Sequence, residues 1–357
     1  MTSFRGSWPK IARSVFVFCV FFLIAFGLGY PVLNRFDPRQ TPGLPDVKTY
    51  AAMVSGGPNP DTSHHVRLRV LVPWIAKPFY RLSQGRLATW DPLMFSLLVA
   101  NSLFVAGTAV LIVRVGSSVF AAHQLGDHTV ALVGALLYLL NFAVPNLRLV
   151  GLVDAGEGFF LLALVASLFE LKYWALPLIA VLGALTKESF LPFSIAFTAA
   201  WWLSTRSDQS RPQNHATVSA TWILTSWVLS FAVLVGLHRV LAGTFESPLQ
   251  FGLVLHHGHD YLAHFMSSLR DRDLWYIFLW LLPTAIPNIK SFPSSWLVAT
   301  GATCVVAFLL DGYYGGNLGT IGRALFSIAG PLLSLSSALL VTHAVSRQKS
   351  SPIIEVN

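Results

Sequence analysis

Three stretches of this sequence bring acids and bases together inside an otherwise apolar chain, and a fourth adds a single arginine. Between Pro31 and Asp91 lie Asp37, Asp46 and Asp61 with Arg67 and Arg69. NLRLVGLVDAGEGFF carries Arg148, Asp154 and Glu157, LTKESFLP carries Lys187 and Glu188, and GGNLGTIGRALF carries Arg323. Ionisable groups at membrane depth are costly, so each is a functional candidate by default. Cations in such a place can offset the charge of a phosphate, and a carboxylate can take a proton from a hydroxyl. The arginines have two readings: snorkelling to anionic headgroups, or a site for one lipid-linked phosphate. The acids that share their loop favour the second. Lys187 and Glu188 read equally well as salt bridges that fasten helices.

The elements that must position these groups follow from composition. Of 357 residues, 54% are hydrophobic and 11% charged, and mean hydropathy is +0.61. An ordinary soluble chain carries roughly 25% charged residues. The apolar residues fall into blocks too numerous for one water-soluble core, which predicts an all-α integral membrane protein. The blocks run over residues 11–30, 93–115, 129–144, 158–171, 174–185, 189–203, 218–237, 274–289, 296–310 and 324–345. They predict about ten transmembrane helices in a single polytopic domain, 1–357. The blocks at 158–171 and 174–185 are short for a bilayer core of about 30 Å. They form either thin helices lining a recess or a re-entrant hairpin; both return the chain to the outer side at Thr186-Lys187-Glu188.

Basic residues in short loops set the orientation. With both termini cytoplasmic, the inner segments hold Arg5, Lys10, Arg13, Arg114, Lys172, Arg206, Arg211, Lys290, Arg347 and Lys349. The first outer loop spans 31–91 and a second outer loop 238–273. The stretch 204–217 is a short cytoplasmic connector and 346–357 a cytoplasmic tail. In LPDVKTYAAMV the spacing of Val47, Tyr50, Ala51 and Val54 predicts a helix with Asp46 at its N-cap position. From Leu68 onward, Leu68, Leu71, Val72, Ile75, Phe79 and Leu82 share one face, and Arg67, Trp74, Lys77 and Arg81 the other. That pattern predicts a helix in the headgroup plane, kinked at Pro73 and Pro78.

Other features carry less. Cys19 and Cys304 lie in apolar runs and read as small packing residues. The formal charge of +8 reads as orientation and attraction to anionic lipid; without a soluble basic domain, nucleic acid is not an expected partner. His256, His257, His259, Asp260 and His264 have donors for zinc or another divalent cation, or face water as a polar outer loop. No metal site is assigned.

Taken in order, an N-in first span, a long outer loop with Asp46 and Tyr50 in a D-x3-Y setting, the segment VRLRVLVPW, Asp154 and Glu157 at a span start, the T-K-E between short helices and the terminal G-R-A-L-F resemble the GT-C superfamily of membrane glycosyltransferases. The resemblance implies transfer of a sugar from a polyprenyl-phosphate donor to a glycan, lipid or protein acceptor on the outer face of a bacterial inner membrane. It also implies a general base at Asp46, with Asp37 in reserve. Phosphate leaves as a stable anion, so one carboxylate suffices and no cofactor is required, though a divalent cation remains compatible. The phosphate charge is then met by Arg67, Arg69, Lys187 and Arg323, and Tyr50, Asp154, Glu157 and Glu188 support substrate or structure. A transporter or flippase of a lipid-linked or small anionic substrate is the competing reading, although no internal repeat is visible. A non-catalytic subunit of an envelope polysaccharide system is a third.

Overall fold

The computed structural model describes residues 10–35, 45–57, 64–87, 89–124, 128–206, 213–242, 261–313 and 320–350. Every regular element among them is helical. The helices are α1 (Lys10–Arg35), α2 (Pro45–Ser55), α3 (Leu71–Ser83), α4 (Pro92–His123), α5 (His128–Leu139), α6 (Asp154–Phe169), α7 (Leu176–Thr186), α8 (Phe190–Arg206), α9 (Gln213–Ala242), α10 (Tyr261–Leu269), α11 (Arg272–Phe278), α12 (Leu281–Ala285), α13 (Ser294–Tyr313) and α14 (Thr320–Ser350). A 3-10 turn at His64–Leu68 precedes α3, and a π-helical turn at Val144–Arg148 precedes α6.

Among the described residues, five helices are long and apolar enough to cross a membrane: Ala12–Leu33 in α1, Pro92–Ala122 in α4, Thr217–Leu241 in α9, Ser294–Gly312 in α13 and Ile321–Thr342 in α14. Their burial separates centre from rim. The α4 and α14 segments are each 78% buried, whereas α1, α9 and α13 are 22%, 28% and 33% buried. Around that central pair, α1, α3, α5 and α6 pack on α4, while α5, α6, α12 and α13 pack on α14. Small residues let the inner helices approach. A Cβ at Gly116 or Gly134 would lie 2.6 or 2.8 Å from Leu335, so hydrogen atoms alone face that side chain from α4 and α5.

Helical elements occupy each predicted apolar block, but two blocks are interrupted; in 129–144, α5 ends at Leu139 and residues 140–142 form a turn before the π-helical turn. The block 274–289 is not continuous: α11, α12 and a 3-10 turn at Ile286–Ser291 share it. Pro283 and Pro287 explain the interruption, because each lacks an N–H and crowds the preceding turn. The two short blocks become α6, of 16 residues, and the stretch Tyr173–Thr186; α6 reaches only about 24 Å.

Two details of the first loop differ from the sequence reading. Pro45 opens α2, so Asp46 lies inside its first turn and not at the N-cap. The amphipathic segment begins its α-helix at Leu71, and Leu82 is exposed beside Trp74 while Val72, Pro73 and Ala76 are buried.

Candidate functional site

The site is assembled by three local devices. Gly151, with φ of +85°, turns the chain between the π-helical turn and α6 against Val47, Met94 and Leu97. A side chain rarely adopts that backbone, and the turn delivers Asp154 and Glu157 into the first turn of α6, where a helix N-terminus favours carboxylates. The second device is the elbow between α7 and α8. The Phe190 ring packs onto Gly183, where a Cβ would come within 2.4 Å of it, and the backbone N–H of Lys187 donates to the Gly183 carbonyl at 3.2 Å. Lys187 and Glu188 are thereby held between α6 and the first loop. The third is α2, whose buried Val47, Tyr50 and Val54 seat it on the core.

Arg69 joins the first loop to the elbow. Its Nε donates to Glu188 Oε2 at 2.8 Å and its Nη2 to Glu188 Oε1 at 2.5 Å. Its Nη1 donates to Asp46 Oδ2 at 3.1 Å and to the Tyr50 hydroxyl at 3.0 Å. Tyr50 is fully buried, and burial pushes its hydroxyl well above the ordinary tyrosine value; Arg69 opposes this and Asp46 adds to it. The phenol therefore stays neutral.

Lys187 reaches the other way. Its Nζ donates to Asp154 Oδ1 at 2.7 Å and to Glu157 Oε2 at 3.4 Å. Arg323 Nη1 donates to Asp154 Oδ2 at 3.2 Å, and the Ser189 hydroxyl donates to Glu157. Burial alone would lower the Lys187 pKa, but the Asp154 and Glu157 carboxylates outweigh it and raise it, so the ammonium persists. The side chains of Asp154 and Glu157 are 3% and 0% exposed, against 19% for Glu188 and 35% for Asp46. Asp46 is the carboxylate of this cluster that solvent or a ligand reaches most readily.

Beneath the cluster lies Arg148, fully buried. Its guanidinium packs over the rings of Tyr138 and Phe326, donates to the Asp154 carbonyl at 3.0 Å and donates to Ser327 Oγ at 2.8 Å. Gly158 makes room for it, since a Cβ there would lie 2.3 Å from Arg148 Nη1. At the C-terminal end of α6, Glu170 accepts from Lys172 at 2.8 Å and pairs with Arg114 of α4.

Of the sequence-predicted site residues, Asp46, Tyr50, Arg69, Asp154, Glu157, Lys187, Glu188 and Arg323 meet in this one cluster. Lys187 and Glu188 are fastened to different partners. Arg67 is half-buried in the turn before α3. Asp37 and Asp61 lie outside the described residues, as do His256, His257, His259 and Asp260. Among the described residues, no group of three or more His, Cys, Asp or Glu side chains is arranged to hold a metal. Ser189, Ser327 and the Tyr138–Phe326 pair escaped the sequence reading; the position of Ser189 directly after Lys187-Glu188 was the available signal. No protein-family model, curated protein or solved structure matches the chain.

Proposed function

We propose that this chain is a membrane glycosyltransferase of the GT-C kind, moving a sugar from a polyprenyl-phosphate donor to a glycan, lipid or protein acceptor of the cell envelope. In this reading the five long helices and the shorter apolar ones make about ten crossings. Both termini are cytoplasmic, and the charged cluster lies on the outer face of a bacterial inner membrane. The acceptor hydroxyl oxygen bonds to the anomeric carbon as the bond from that carbon to the phosphate oxygen breaks. Asp46 takes the hydroxyl proton, and the electron pair leaves with the phosphate as a stable anion. Basic residues of the cluster offset the growing charge.

The observation that carries this reading is the partial exposure of Asp46 at the edge of an otherwise buried ionic cluster that runs from α2 to α14. A carboxylate so placed meets a substrate, and an ordered cluster behind it keeps its geometry fixed. The test is consumption of a radiolabelled polyprenyl-phosphate sugar by the purified protein with an acceptor extract. Asp46→Asn should lower turnover by about 100-fold or more while the protein remains folded in the membrane. Wild-type turnover in that variant overturns the assignment of the base, and a wild-type protein that leaves the donor intact overturns transferase activity itself.

A further inference from the structure

We propose that Arg69 is a positioning residue for Asp46 and not a ligand of the donor phosphate. The inference rests on the transferase reading and changes the part first read for this arginine. A guanidinium has five N–H donors in a rigid fork. The four hydrogen bonds from Arg69 use the Nε edge and one Nη2 donor on Glu188, and the two Nη1 donors on Asp46 and Tyr50. Its side chain is 11% exposed. Only one Nη2 donor is left over, so a phosphate gripped through two N–H groups would have to displace a carboxylate from a largely buried fork, leaving a buried charge without its partner.

The orientation of the fork carries the argument further. Glu188 takes two parallel N–H groups and so fixes the plane of the guanidinium. Tyr50, fully buried on the same helix as Asp46, holds the Nη1 corner. The Nη1 donor toward Asp46 Oδ2 is therefore set by two groups more withdrawn than Asp46 itself, Tyr50 being fully buried and Glu188 19% exposed against 35% for Asp46. A carboxylate pinned through one oxygen keeps the other available for a proton, which is the arrangement a general base requires. Arg69 thus belongs to the frame, and Asp46 to the substrate.

Two measurements on the full-length protein in detergent or nanodiscs decide it. In donor-saturation kinetics, Arg69→Met should lose about 100-fold in kcat with the donor KM unchanged. Arg69→Lys should recover part of that loss, since an ammonium still faces Asp46 but lacks the fork. A raised donor KM with kcat retained would mark Arg69 as a phosphate ligand and overturn the proposal. The second measurement does not depend on turnover: carbodiimide-driven labelling of carboxylates with a small amine, mapped by mass spectrometry. Arg69→Met should raise labelling of Asp46 severalfold while Asp154 and Glu157 stay protected. Unchanged labelling of Asp46 overturns the proposal, and so does labelling that spreads to Asp154 and Glu157, because Arg69 would then be holding the whole cluster. If wild-type protein never consumes the donor, the transferase reading fails alone and the labelling still decides what Arg69 does.

Discussion

Glu188 grips Arg69 through both carboxylate oxygens across 119 residues of sequence. This pair joins the first loop to the elbow between α7 and α8, and both side chains are largely withdrawn from solvent. Glu188→Ala would leave a buried guanidinium with Asp46 and Tyr50 alone. The expected loss is about 3 kcal/mol, the scale for removing one partner of a buried pair. Thermal unfolding of the purified variant measures it; a melting temperature equal to wild type would show that the pair contributes nothing.

Lys187 should matter at least as much. Lys187→Met leaves Asp154 and Glu157, both nearly inaccessible, without their shared ammonium. A destabilisation of about 3–5 kcal/mol is expected. Glu157→Gln placed in the same chain should recover part of it, because one buried charge is then removed. A double-mutant cycle reads the coupling, and strict additivity of the two losses would refute the contact.

The pair of Arg114 in α4 with Glu170 at the end of α6 offers the contrast. The Arg114 side chain is 51% exposed, so Arg114→Ala should cost about 1 kcal/mol or less. That small effect should shrink further as salt is added. A loss as large as that of Lys187→Met would mean that exposure is a poor guide to the worth of ion pairs here.

Gly183 tests the elbow without touching a charge. A side chain at this position meets the Phe190 ring, whose atoms stand 2.4–2.5 Å from where a Cβ would be. Gly183→Val is expected to destabilise by about 1–3 kcal/mol through overpacking, and to lower donor turnover because Lys187 and Glu188 lose their placement. Adding Phe190→Leu should relieve the crowding. Stability and turnover both at wild-type level in the single variant would rule out the close approach.

Much of this architecture was legible in the chain. Apolar runs marked where helices form, because lipid-facing and core-facing surfaces alike demand them. Acids and bases set against the ends of apolar runs marked the cluster, because ionisable groups at membrane depth are costly. The pairing was less legible: Lys187 and Glu188 are neighbours of opposite sign, and nothing in their adjacency says that one turns to α6 and the other to the first loop. Asn101 and Asn141 stand in or beside apolar runs with no sequence signal of their part. In the folded protein Asn101 donates to the Leu152 carbonyl at 2.8 Å, and Asn141 donates to the Ile277 carbonyl at 2.9 Å. Asn101 ties α4 to the turn before α6, and Asn141, just past the end of α5, ties that bend to the last turn of α11, relations that only the tertiary fold creates. The split of the block 274–289 was foreshadowed by its two prolines, whose steric effect outweighs the hydropathy of the run.

Because Lys187 and Glu188 are consecutive, a single peptide unit anchors two sets of charges that would otherwise be independent. Tugging α2 and its neighbours outward strains the same backbone that tethers the start of α14 through Asp154. The Asp46 end of the cluster and its Arg323 end are thus linked through one stretch of covalent backbone as well as through charge.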